Sequence, residues 1–158
     1  MNSPAYRVWQ GIEADHPPRL RRDYPELLAM AQSMLDSRRN RFPDLIAQGR
    51  IEPDEAERQI AIFEQIVADW RWLCTGEGEH ASYLTLHDRR TALDASLATI
   101  ADLARRRRRF DCQLAHQAEC VIAMRWHLEP ERAPATRFWA ALTHEMRREA
   151  REAASHAQ

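Results

Sequence analysis

From Glu79 to Glu129 the chain runs for 51 residues without a glycine or a proline. The residues that most often end a helix or turn a strand are missing there, so the run reads as one long helix or two in close succession. Within it Leu86, Leu93, Ile100, Arg107, Leu114 and Val121 recur every seven residues. Leu103, Phe110 and Met124 each follow three residues after a member of that series. An apolar residue every half-heptad is the pattern of helices packing on helices. A single helix over 81–127 would be about 70 Å long. The alternative is a break near the arginine run 105–109, with Asp111 capping the second helix. Spacing alone leaves both open. Arg107 occupies the apolar seam, where a charge must be paired or costs several kcal/mol. Either the chain breaks there or a carboxylate answers it. If the helix is continuous and pairs with a second copy through the 86–124 seam, Arg107 would set the register.

The other segments read the same way. Asp23 and Pro25 suit a helix start, and Leu27, Leu28, Ala31, Met34 and Leu35 follow at helical spacing. Pro43 should kink that helix or begin a new one, and Gly49 is placed to end it. Pro53, Asp54 and Glu55 open a second helix, whose face is Ala56, Ile60, Phe63, Val67 and Trp70. The short Gly49–Pro53 connection makes 23–75 an antiparallel hairpin. After Pro130 and Pro134, a last helix over 134–154 carries Phe138, Trp139, Leu142, Met146 and Ala150 as one apolar stripe. No segment alternates like a strand, and residues 1–22, with Pro4, Pro17 and Pro18, read as an irregular arm. The expected fold is all-α and bundle-like. A single domain over 23–158 comprises the hairpin, a long helical region at 80–128 and the C-terminal helix.

Charge and cysteine content narrow the function classes. All 23 basic residues are arginine, against 24 acidic ones, for a net charge of −1. Neither a generally basic nucleic-acid coat nor an acidic mimic fits that balance. Residues 1–79 hold 10 Arg and 14 acids, and residues 80–158 hold 13 Arg and 10 acids, so basic surface belongs to the second half. Three cysteines, Cys74, Cys112 and Cys120, fit reduced thiols in a cytoplasm better than a disulfide scaffold. No apolar run approaches the roughly 20 residues a membrane span requires, so no membrane association is expected.

One stretch is familiar. Arg38-x-x-Arg41-Phe42-Pro43-x-Leu45-Ile46-x-x-Gly49-Arg50-Ile51, followed by Glu55-Ala56-x-Arg58-x-Ile60, resembles a segment of small uncharacterised phage and prophage proteins from GC-rich bacteria. It spans about residues 24–73. The resemblance implies a mobile-element protein, such as one that modulates a host enzyme or defence complex. It brings no site residues with it.

Among chemistry-bearing groups, Cys112, His116 and Cys120 lie on one side of a helix, and thiolate and imidazole suit zinc or copper. One straight helix cannot surround a tetrahedral ion. A fourth ligand would have to come from Cys74, His80, His87 or a second chain. Packing of a buried helix face is the simpler reading, and no cofactor is expected. Arg105, Arg106, Arg107, Arg108 and Arg109 sweep round a helix rather than facing one way. With Arg89 and Arg90 they are the candidate contacts for a protein or nucleic-acid partner. Trp72, two residues from Trp70, must point to a different side and is a further candidate. His80 and His87 stand beside a glycine loop, but no nucleophile motif, phosphate loop or Glu-x-x-His pair accompanies them. The expectation is a non-enzymatic helical protein that regulates or inhibits a protein partner. The alternative is nucleic-acid binding through 105–109.

Overall fold

The computed structural model describes residues 5–78 and 86–157. Five helices follow a two-stranded hairpin: β1 (Tyr6–Trp9), β2 (Ile12–Asp15), α1 (Tyr24–Ala47), α2 (Pro53–Thr75), α3 (Leu86–Arg107), α4 (Cys112–His127) and α5 (Ala133–His156). The fold is all-α and bundle-like apart from that hairpin. No described helix is long and apolar enough to cross a membrane.

The N-terminal arm is not irregular. β1 and β2 pair antiparallel, with Trp9 opposite Ile12. Gln10 and Gly11 both adopt positive φ, 50° and 83°, which gives a two-residue turn whose twist matches the strands. Trp9 and Ile12 are buried, while Tyr6 and Val8 face out. Arg7 stacks on Trp9 at 3.6 Å and bonds Glu129 at 2.8 Å, fastening the sheet just beyond the end of α4. Four-residue strands around a Gln-Gly turn leave little alternation to see, which is why the sequence reads as featureless.

Asp23 caps α1 and Pro25 sits in its first turn, as the sequence predicts. Pro43 neither ends nor restarts the helix. The helix runs on through it to Ala47, and the missing N–H leaves the Arg39 carbonyl without its helical donor. Gly49, at φ 67°, closes α1: its N–H donates to the Ile46 carbonyl and that of Arg50 to Leu45. These are the paired bonds of a Schellman turn.

The 51-residue run breaks. Arg108 takes φ 53°, the Arg109 N–H donates to the Ala104 carbonyl, and the Arg108 N–H donates to Arg105. That is the geometry of the Gly49 turn, with arginine in the left-handed position. Asp111 then caps α4, accepting from the Leu114 N–H at 2.9 Å. The seam therefore closes within one chain. Leu93, Ile100, Leu114, Val121 and Met124 are all buried, so a homodimer built on 86–124 would find its apolar positions already covered. Arg107 leaves the interior at the end of α3, exposed and 3.8 Å from Asp111.

One continuous core joins the hairpin with α1 to α4. It holds a polar pair: Arg89, only 2% exposed, lies 3.1 Å from the Asp69 carboxylate. It also holds His127, wedged among Tyr24, Trp70 and Trp126. The His127 Nε2–H donates to the Arg21 carbonyl at 2.7 Å, and the Thr136 hydroxyl donates to Nδ1 at 2.8 Å. One ring thereby ties the N-terminal segment and α5 to α4. α5 contributes no side chain to the core cluster.

Candidate functional site

The most distinctive surface lies on α5. Phe138, Trp139, Leu142 and Met146 fall within about 100° of the helix circumference. They are 63%, 61%, 36% and 60% exposed, the largest concentration of uncovered apolar side chains among the described residues. The opposite face docks on α2 and is made of small residues, Ala133 and Ala140. His144 completes the docking. Its Nε2–H donates to the Trp72 carbonyl at 2.7 Å, and its ring packs edge-on against Trp72 at 5.3 Å. It also lies close above Gly76, where any side chain would meet the imidazole. Small residues thus face in and large ones face out, the reverse of an amphipathic helix covering its own core.

Beyond His144 the helix leaves the body. Every residue from Glu145 to Ala157 is exposed. A stretch this short is marginal as an isolated helix in water and gains most from a partner that packs on its apolar face. Glu145, Glu149 and Glu152 line one edge of the stripe at spacings of four and three, with Arg148 beside them 4.0 Å from Glu145, and Arg147 and Arg151 lie on the far side. At its N-terminal end the stripe borders a shallow depression formed by Trp72, Leu86, Pro134, Arg137 and Phe138. No family model, curated protein or solved structure matches the chain. The site therefore has to be read from its own geometry.

The residues singled out in the sequence are distributed differently from the expectation. Arg89 is buried against Asp69, so it does not belong to a contact surface. Arg90 is half-buried and donates to the Leu128 carbonyl at 3.0 Å. Trp72 is half-buried under α5. Arg105 to Arg109 are all exposed, on the last turn of α3 and the bend that follows it. Arg106 pairs with Asp102 at 2.8 Å, and exposed Phe110 stands beside the run. His80 lies outside the described residues, and His87 is exposed.

Cys112 is exposed and apart from His116 and Cys120. Those two meet Glu26 of α1 instead. Burial and the neighbouring carboxylates of Glu26, Glu119 and Asp23 push the Cys120 thiol up to about 12, so the free thiol is a poor nucleophile. His127 has both ring nitrogens committed to bonds, and burial holds its pKa below the ordinary imidazole value.

The α5 surface was half visible in the sequence. The stripe itself is plain, but a lone amphipathic helix is expected to turn it inward. The missed signal is on the other face, where alanines make a second, low-relief contact surface.

Proposed function

We propose that this protein works without catalysis, as a regulator or inhibitor that binds another protein through the projecting apolar face of α5. The observation that carries the reading is the outward stripe Phe138–Trp139–Leu142–Met146 on a segment whose last 13 described residues are all exposed. Recognition of this kind places an amphipathic helix in an apolar groove, read through anchors at i, i+3 and i+7, here Trp139, Leu142 and Met146. Trp139 is the natural anchor, since large aromatics carry a disproportionate share of interface energy. The acidic edge of Glu145, Glu149 and Glu152 favours a groove with a basic rim. The resemblance of residues 24–73 to phage proteins suits a host protein as the target.

The test is affinity capture from a bacterial host extract with wild type and with a Trp139→Ser, Leu142→Ser double variant. Both substitutions lie on exposed positions, so folding should be unaffected. A protein retained by wild type and lost with the variant supports the reading. Equal retention by both refutes it. A concentration-dependent dimer abolished by the same variant would assign the face to a second copy and refute a heterologous partner.

A second reading rests on the α3–α4 corner, where five exposed arginines and Phe110 gather. Nucleic-acid binding there should weaken steeply with salt, with a slope falling as arginines are removed. No gel shift at low salt removes it.

A further inference from the structure

We infer that Glu26, His116 and Cys120 form a zinc site that clips the start of α1 to the middle of α4. The three residues come from two helices that the core packs side by side. His116 and Cys120 are one helical turn apart, and Glu26 reaches them from the first turn of α1, 90 residues away in sequence. The ligand atoms lie within 4.8 Å of one another. Zinc–sulfur and zinc–nitrogen bonds of about 2.3 and 2.0–2.1 Å at a tetrahedral angle require a sulfur-to-nitrogen edge of about 3.6 Å. The Cys120 Sγ to His116 Nε2 distance is 3.6 Å. Glu26 Oε1 is 2.8 Å from the same Nε2, a hydrogen bond that would have to open by roughly half an ångström to admit the ion. The Glu26 and His116 side chains are 42% and 44% exposed, so that adjustment moves nothing in the core.

The donor set selects the metal. One thiolate and one imidazole favour zinc over the oxygen-seeking cations, and the carboxylate completes a neutral site around a dication. Asp23 adds negative charge nearby, while Glu119 is paired with Arg19. Cys120 itself is fully buried, so its sulfur is held in place by packing and not by a flexible loop. Three protein ligands leave the fourth coordination position facing solvent, open to water or to a ligand brought by another molecule. On loading, the thiol proton leaves to solvent, and the Nε2 proton, now donated to Glu26, is replaced by one on Nδ1 of the neutral ring. One proton is released for each zinc bound.

The site is independent of the α5 surface. Its test uses the tag-free full-length chain, stripped with chelator and then titrated with Zn²⁺ by calorimetry and with Co²⁺ by absorption. The expected result is one metal per chain and a thiolate-to-cobalt charge-transfer band. Glu26→Gln and His116→Gln should each weaken binding at least about tenfold. Cys120→Ser should abolish the charge-transfer band, and Cys112→Ser should leave affinity and spectrum unchanged. Should Cys120→Ser fail to fold, the two exposed-ligand variants still decide the matter. Absence of saturable binding at micromolar zinc overturns the proposal. So does unweakened binding in Glu26→Gln and His116→Gln, or loss of binding in Cys112→Ser.

Discussion

Replacing Arg108 with glycine should stabilise the protein, whereas the same replacement two residues earlier should destabilise it. Arg108 sits at φ 53°, in the left-handed region that costs a side-chain-bearing residue about 1–2 kcal/mol. Its side chain is exposed and makes no ion pair among the described residues, so little contact is lost on truncation. Glycine removes the steric cost but loses more backbone entropy on folding, about 0.5–1 kcal/mol. The net gain should be roughly 0.5–1 kcal/mol, or a rise in Tm of about 1–4 °C for a domain of this size. Arg106 lies within α3 and pairs with Asp102. Glycine there gives up helix propensity and an i,i+4 pair, for a loss of about 1 kcal/mol. Urea denaturation followed by circular dichroism measures both. Opposite signs at positions 106 and 108 are the signature of a chain that turns at Arg108. If Arg108→Gly destabilises as much as Arg106→Gly, α3 continues through the arginine run and the reasoning fails.

Two further stability effects follow from the buried polar groups. His127 has a lowered pKa in the folded state, so the unfolded chain binds more protons below about pH 6.5, and stability should fall as pH drops through that region. The slope contributed is at most about 1.4 kcal/mol per pH unit. A His127→Asn variant should show a shallower slope between pH 7.5 and 5.5, and an unchanged slope would contradict the assignment. Asp69→Asn leaves the Arg89 guanidinium buried beside a neutral amide and should cost roughly 3 kcal/mol. An Asp69→Leu, Arg89→Met double variant should recover most of that loss. A change below about 1 kcal/mol in the single variant would show that the charge of Asp69 is not needed there.

The helices themselves were legible because each is bounded by local chemistry. Asp23 and Pro25, Gly49, Pro53, Gly76 and Asp111 mark ends that backbone hydrogen bonding requires wherever the helix is placed. The hairpin 23–75, the all-α class and the apolar faces of α1 and α2 follow from those marks and from the spacing of Leu27, Ala31, Phe63 and Val67. The heptad spacing held for Leu93, Ile100, Leu114, Val121 and Met124 and failed at Arg107 and Phe110, where the chain turns, and it did not distinguish helices of one chain from helices of two. An intramolecular α3–α4 hairpin and an intermolecular coiled coil bury the same side chains.

The candidate sites were much less legible, because each depends on which surfaces meet. In the sequence Arg89 and Arg107 are both candidate partner contacts. One finds Asp69 across the α2–α3 contact and is buried, while the other reaches solvent where the chain turns. Glu26 carries no mark of a ligand until α1 packs on α4 and brings it to His116 and Cys120. The stripe on α5 is written in the order of its residues, yet its outward direction is not. Once α1 to α4 and the hairpin have closed the core, Ala133 and Ala140 fit the shallow space left on α2, and the rings of Phe138 and Trp139 do not. Local residue order settles where helices begin, end and carry apolar faces, since those depend on neighbours a few bonds away. Which face is covered, which charge is paired and which ligands converge depend on volume and distance between segments far apart in the chain, and only packing decides them.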